Sequence, residues 1–138
     1  MRVALISCVK TKSKSKNMAK DLYISPLFKM NYTYAKQNCD KVFILSAKHG
    51  LLEETEVIEP YEQTLSKMKK IDRIKWADDV TKQLSAKNDL AKDEFMILAG
   101  KNYREFLLPN IRNYTIPFEG RSFGKQLQQL KERINGHL

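Results

Sequence analysis

RVALISC, residues 2–8, is a short, apolar, partly β-branched run with a charge only at its first position. A strand with one wet face alternates apolar and polar residues, whereas an unbroken apolar run belongs inside a sheet covered on both sides. The same pattern returns in KVFILS, residues 41–46, and in EFMILA, residues 94–99. Between the first two runs, Ser25-Pro26 supplies an N-cap and a proline suited to the first helical position. Leu27, Met30, Tyr34 and Asn38 follow at helical spacing and predict a helix over residues 26–38. Between the second and third runs, Ile71, Ile74, Ala77, Val80 and Leu84 mark one face of an amphipathic helix. A short helix is expected through Tyr103, Phe106 and Leu107, stopped by Pro109; a fourth strand over residues 114–118; and a last helix striped by Phe123, Leu127, Leu130 and Ile134. Residues 9–24, rich in Lys and Ser and without apolar period, read as a surface loop. Strands alternating with helices give the expectation of a single α/β domain over residues 1–138. It has a mostly parallel sheet of about four strands, helices on both faces and right-handed crossovers.

Composition agrees with one core. The chain has 138 residues, 42% hydrophobic and 30% charged, ordinary for a globular protein and too apolar for a disordered one. Its longest apolar runs fall far short of the roughly 20 residues that cross a bilayer. Arg2 is followed by no long apolar stretch of the secretory kind, so the expected location is the cytoplasm. Cys8 and Cys39 form no CxxC pair and are expected to stay thiols there. The formal net charge of +9 favours polyanionic partners, a nucleobase or nucleotide-like ligand or DNA or RNA. Much of the excess sits in residues 10–20 (Lys10, Lys12, Lys14, Lys16, Lys20) and residues 67–75 (Lys67, Lys69, Lys70, Arg73, Lys75). A solvated loop and a solvated helix face account for those clusters as well as a binding site does.

In open α/β sheets ligands bind beyond the carboxyl ends of the strands, here Ser7-Cys8, residues 46–50 and residues 99–101. Cys8 is a candidate nucleophile if a helix N-terminus and lysines favour its thiolate; the alternative is a small buried apolar residue. Lys48-His49-Gly50 joins a cation, a titratable imidazole and a flexible turn, with Lys48 and His49 as candidate acid, base or phosphate contacts and Ser46 and Gly50 beside them. Ser25 caps a helix whose start offers N–H groups to an anion. Tyr23 and Tyr61 are candidates to hold a base, although Tyr23 serves equally to staple the preceding loop to the core. Gly100, which closes the third strand, and Tyr103, in the short helix after it, are candidate substrate contacts. The stretch 120–125, GRSFGK, lacks the phosphate-loop spacing but permits an anion site with Arg121 as the reaching side chain. No spacing supports a metal or a redox cofactor, and Cys39 and His137 read as packing and tail.

Ser7-Cys8 with Lys10 and Lys12, then AKDLYISPLF (residues 19–28), ILSAKHGLL (44–52) and IEPYEQTL (58–65), resemble a group of small uncharacterised bacterial and phage proteins. ILSAKHGLL, IEPYEQTL and LAGKNYREFL (98–107) also resemble the YaaA peroxide-stress family, a likeness over roughly half the chain that implies DNA binding and protection from oxidative damage. More remotely, a cysteine ending the first strand, Tyr23-x-Ser25, and a Gly-Leu turn before Pro60-Tyr61 are similar to the catalytic domain of archaeosine synthase, which modifies a deazaguanine base in transfer RNA. That likeness implies Cys8 as the cysteine that attacks the substrate nitrile, with Tyr23 and Ser25 in the adjoining motif. The chain lacks the motif's proline before the cysteine and has Leu27-Phe28 where its histidine follows the serine. Two functions are thus expected to compete: an enzyme acting on a nucleobase, nucleoside or nucleic-acid base, and a non-catalytic nucleic-acid-binding protein. A sensor of a small nucleotide lies between them.

Overall fold

A computed structural model describes residues 1–7 and 14–136. Its elements are β1 (Arg2–Ser7), β2 (Asn17–Met18), α1 (Ala19–Leu22), α2 (Pro26–Asn38), β3 (Lys41–Ser46), β4 (Gly50–Glu53), β5 (Val57–Ile58), α3 (Lys70–Ser85), β6 (Glu94–Leu98), α4 (Lys101–Arg104), β7 (Tyr114–Thr115) and α5 (Phe123–Asn135). Five strands form one mixed sheet in the order β4-β3-β1-β6-β7, all parallel except β4, which runs antiparallel to β3.

The three apolar runs are the three central strands, and their side chains divide between two cores. Val3, Leu5, Phe43, Leu45, Phe95 and Ile97 point to the face covered by α3 and α4; Ala4, Ile6, Val42, Ile44, Met96 and Leu98 point to the face covered by α2 and α5. Each fully buried aliphatic or Phe side chain contributes about 1.5–3 kcal/mol, and β1 alone has four consecutive fully buried residues. The chain leaves β1 on one side to reach β3 and then crosses to the other side to reach β6. The order of winding therefore reverses between β1 and β6, and the reversal opens a crevice beyond their carboxyl ends.

The mostly parallel sheet of about four strands is present, with the edge strand β4 making five, while other expectations need correction. At Gly50 the backbone is left-handed, φ +75°, so the chain folds straight back and Leu51 and Leu52 cover the outer edge of β3 as β4. Within residues 9–24, the described part is more than a loop. β2 pairs with β5, the amides of Ala19 and Lys20 donate to the carbonyls of Glu56 and Glu54, and Ala19, Leu22 and Tyr23 are buried. That order comes from a distant partner, residues 54–58, which local periodicity does not reveal. On α2 the buried stripe is Phe28, Asn31, Tyr34 and Ala35, turned about one residue from the one read from sequence. On α3 it is Trp76, Ala77, Val80 and Leu84, while Ile71 is 73% exposed because the first turn runs past the sheet's cover. The fourth strand is confined to Tyr114–Thr115, and Phe123 opens α5 exposed rather than inward. Among the described residues no helix is long and apolar enough to cross a membrane.

Candidate functional site

Two groups of residues gather at the carboxyl end of the sheet. The first surrounds the end of β3. Ser46 is fully buried; its hydroxyl accepts from the His49 amide (3.0 Å) and its carbonyl accepts from the Trp76 indole (2.9 Å). Tyr23, 1% exposed, packs its ring 5.1 Å from Phe28 and hydrogen-bonds through its hydroxyl to that of Tyr61 (2.5 Å). Tyr61 in turn meets the His49 ring edge to face at 5.6 Å. Burial above all, then the Tyr61 hydroxyl, pushes the Tyr23 phenol well above its ordinary value, with an interaction from the Ser46 hydroxyl opposing. Tyr23 is therefore a neutral phenol that ties residues 19–23 to the end of the sheet, and its ring lies in the core rather than on the surface. Partial burial and the Lys48 charge hold the His49 imidazole below its ordinary value, with Glu56 pulling the other way. Lys48 itself points to solvent.

The left-handed Gly50 has a structural reason of its own. A Cβ there would approach the Gln83 carbonyl oxygen at 2.5 Å, and that oxygen accepts from the Leu51 amide (3.0 Å), so the turn is clamped onto α3. Gln83 and Trp76 were invisible as partners in the sequence, although a lone tryptophan on a helix between apolar residues is a usable signal for an anchor.

The second group lies at the ends of β1 and β6, where the winding reverses. The Gly100 amide donates to the Ser7 hydroxyl (3.1 Å), and these two residues, with Leu27 and Lys101, form the partition between two chambers. One chamber, about 330 Å³, is mostly apolar: Phe28, Tyr103 and Phe123 line it, with Ser25 and Ser66 at its edge. The other, about 250 Å³, is the more polar of the two: Asn31, Arg104, Arg121 and Gln126 line it together with the backbone at Gly120, beside Ile97, Ile116 and Phe118. Ser25 caps α2 by accepting from the Phe28 amide (3.2 Å), and Ser122 caps α5 by accepting from the Lys125 amide (3.3 Å), so two 13-residue helices start at the crevice. Tyr103 joins the two groups, its ring against Trp76 at 5.6 Å and its hydroxyl close enough to raise the Tyr23 phenol slightly.

Of the candidates read from sequence, Ser25, Gly100, Tyr103 and Arg121 come together in the crevice, and Ser46, His49, Tyr23 and Tyr61 in the neighbouring cluster. Cys8, Lys10 and Lys12 lie outside the described residues, as does His137; Ser7, the residue before Cys8, lines both chambers. Cys39 packs its sulfur 3.9 Å from that of Met96, and burial pushes its thiol up to about 11, in keeping with a packing role. Sequence reading missed Asn31, Arg104 and Phe123. Asn31 was legible as a polar residue three positions after Phe28 and four before Ala35 on the inward stripe of α2.

Fold and crevice define a doubly wound α/β domain with a ligand-sized opening at its switch point. The chain belongs to the DUF6884 family, described as a family of unknown function, whose model matches residues 3–132. It is also 34% identical over 90 residues to the uncharacterised protein YfjM of Bacillus subtilis strain 168, a match that covers 64% of this chain and 59% of that protein's length.

Proposed function

We propose that this protein is an enzyme acting on a nucleobase, nucleoside or nucleic-acid base bound in the strand-end crevice. The observation that carries this reading is the aromatic chamber at the switch point, with polar groups converging on its partition. A base has flat apolar faces and a polar edge, and Phe123, Tyr103 and Phe28 suit the faces while Ser7, Ser25 and the Gly100 backbone suit the edge. Cys8 follows Ser7 directly in the chain and is the thiol on which turnover depends. Lys48 and His49 stand at the adjoining strand end, where protons or phosphate are handled. Tyr61 bridges His49 and Tyr23 and fixes the wall between them. The likeness of Cys8, Tyr23 and Ser25 to the archaeosine synthase motif supports a base as the substrate class, and the likeness to the YaaA family supports work near nucleic acid.

The test is a thermal-shift screen of the protein against nucleobases, deazaguanines, nucleosides, nucleotides and short DNA and RNA at two salt concentrations. A base-like ligand at 100 times its Kd stabilises the folded state by about 2.7 kcal/mol. Salt-resistant stabilisation by such a ligand, with turnover lost in Cys8→Ala while the fold persists, is the expected result. Stabilisation by polyanions alone, lost in salt and indifferent to Cys8→Ala, overturns the reading.

One observation favours the rival. Lys67, Lys69, Lys70 and Lys75 are all exposed around the start of α3, whose N-terminus has no side-chain cap among the described residues and a single acid, Asp72, in its first turn. Positive charge at the positive end of a helix is unfavourable unless an anion compensates it, and nucleic-acid phosphate is such an anion. In that reading affinity falls steeply with salt, and Lys69→Glu with Lys70→Glu weakens binding of every sequence alike.

A further inference from the structure

We infer that the two chambers are one site and that its ligand is a nucleoside 5′-monophosphate unit, with the ring in the apolar chamber and the phosphate in the polar one. The inference rests on the base-binding reading above and adds the phosphate to it. Neither chamber is large by itself, and ligand pockets commonly run from roughly 300 to 1,000 Å³. Because they share Ser7, Leu27, Gly100 and Lys101, a molecule with a flat apolar end and a compact polar end spans both.

Three observations specify the polar end as an oxyanion. Lys101, Arg104 and Arg121 all line the polar chamber, and among the described residues none of them forms an ion pair. Arg104 and Arg121 each donate to a backbone carbonyl, Ala99 (3.0 Å) and Glu119 (3.1 Å), which orients each guanidinium and leaves further N–H groups for a ligand. Arg121 stands just before the N-cap of α5, and that helix has no acidic residue in its first turn to offset its positive end. Independently, Asn31 is 4% exposed on the chamber wall and its Oδ1 has no hydrogen-bond partner among the described residues. A buried acceptor left without a donor is costly, so a turn of the Asn31 amide toward the chamber, to accept from a sugar hydroxyl on a ligand that joins ring to phosphate, is favoured. At the apolar end, Phe123 is 57% exposed, an aromatic ring at the chamber mouth in position to stack on a base whose other contacts are Tyr103 and Phe28.

Isothermal titration calorimetry of the full chain against the four common ribonucleoside 5′-monophosphates, their nucleosides, inorganic phosphate and a short single-stranded trinucleotide tests this. At least one monophosphate is expected to bind tenfold or more tighter than its nucleoside. Arg121→Ala, an exposed position, should reduce that monophosphate to the affinity of its nucleoside, and Phe123→Ala should weaken both. Tighter binding of the trinucleotide than of the monophosphate would assign the phosphate to a strand, and equal or weaker binding to a free nucleotide; either supports the inference. Nucleosides binding as tightly as their monophosphates, with Arg121→Ala without effect, would overturn it and leave the base-binding reading standing. Inorganic phosphate bound as tightly as any monophosphate would overturn the joined site. No binding of any nucleoside or nucleotide would overturn both.

Discussion

The ends of β3 and of β1 and β6 lie side by side, and their polar groups are handled in opposite ways. At β3, Ser46 accepts from the His49 amide and the Trp76 indole, Tyr23 is bonded to Tyr61, and Gln83 clamps the Gly50 turn. At β1 and β6, three cations without ion-pair partners among the described residues line one chamber, beside Asn31, whose Oδ1 has no donor among those residues, and a half-exposed phenylalanine lines the neighbouring chamber. Polar groups satisfied within the chain hold a shape; polar groups left over in a concave place await something from outside. The comparison separates bracing residues, whose polar groups are satisfied within the chain, from residues whose polar groups face the crevice, although both kinds sit at strand ends, where sequence reading groups them together.

The brace should be expensive to break. Trp76→Ala deletes a buried ring packed on Tyr103 and strands the Ser46 carbonyl, and is expected to cost about 3–5 kcal/mol in urea denaturation. A loss under 1 kcal/mol would mean that the β3 end is not the rigid half of the comparison. Gly50→Ala meets both a left-handed backbone and the Gln83 oxygen, so about 1–3 kcal/mol is expected. Gln83→Ala made together with it removes the collision but leaves the backbone cost and loses the Leu51 hydrogen bond, so a double mutant as stable as the wild type would show that neither contributes. Tyr23→Phe removes the hydroxyl that bonds Tyr61 and meets Ser46, worth about 1 kcal/mol per hydrogen bond near neutral pH. Because burial raises the folded-state value of this phenol above its unfolded value of about 10, its contribution is present below that pH and lost above it. The stability gap between wild type and Tyr23→Phe should therefore close by up to roughly 1.4 kcal/mol per pH unit above about pH 10. A gap that stays constant to pH 11.5 would contradict a protonated, buried Tyr23.

How much of this was legible beforehand follows the range of the interactions. The three central strands and α2 announce themselves through contiguous apolar runs and through Ser25-Pro26, all signals that lie within a few residues of the element they specify. Order in residues 17–24 depends on pairing with residues 54–58, and the hairpin return of β4 depends on Gly50 adopting a left-handed turn and on Gln83 more than 30 positions away. The turn at Gly50 has a local signature, but the pairing with residues 54–58 and the Gln83 clamp have none. For the site, strand-end logic finds Gly100, the N-cap position before Pro26 finds Ser25, the glycine-bounded stretch before a helix finds Arg121, and the short helix after the third strand holds Tyr103. Arg104 and Phe123 escaped because α4 and α5 were read only for their apolar stripes, and an arginine or a first-turn phenylalanine facing a cavity looks the same in sequence as one facing water. Tyr23 was read with two open roles, and its burial assigns it to the brace.

The receptive half should be cheap to alter in stability and costly in binding. Phe123 opens α5 with 57% of its surface exposed, so its removal takes little apolar area out of the core. Phe123→Ala is expected to change the unfolding free energy by no more than about 0.5 kcal/mol, the usual range for surface substitutions. Base stacking on an aromatic ring is worth about 1–3 kcal/mol, so the same change should weaken a base-containing ligand roughly five- to a hundredfold. The two measurements, a denaturation curve and a titration on one preparation, separate the roles cleanly. A large stability loss with unchanged binding would move Phe123 into the brace and erase the line drawn between the two strand ends. A binding loss on an unchanged fold would locate that line at the first turn of α5, where the apolar chamber opens.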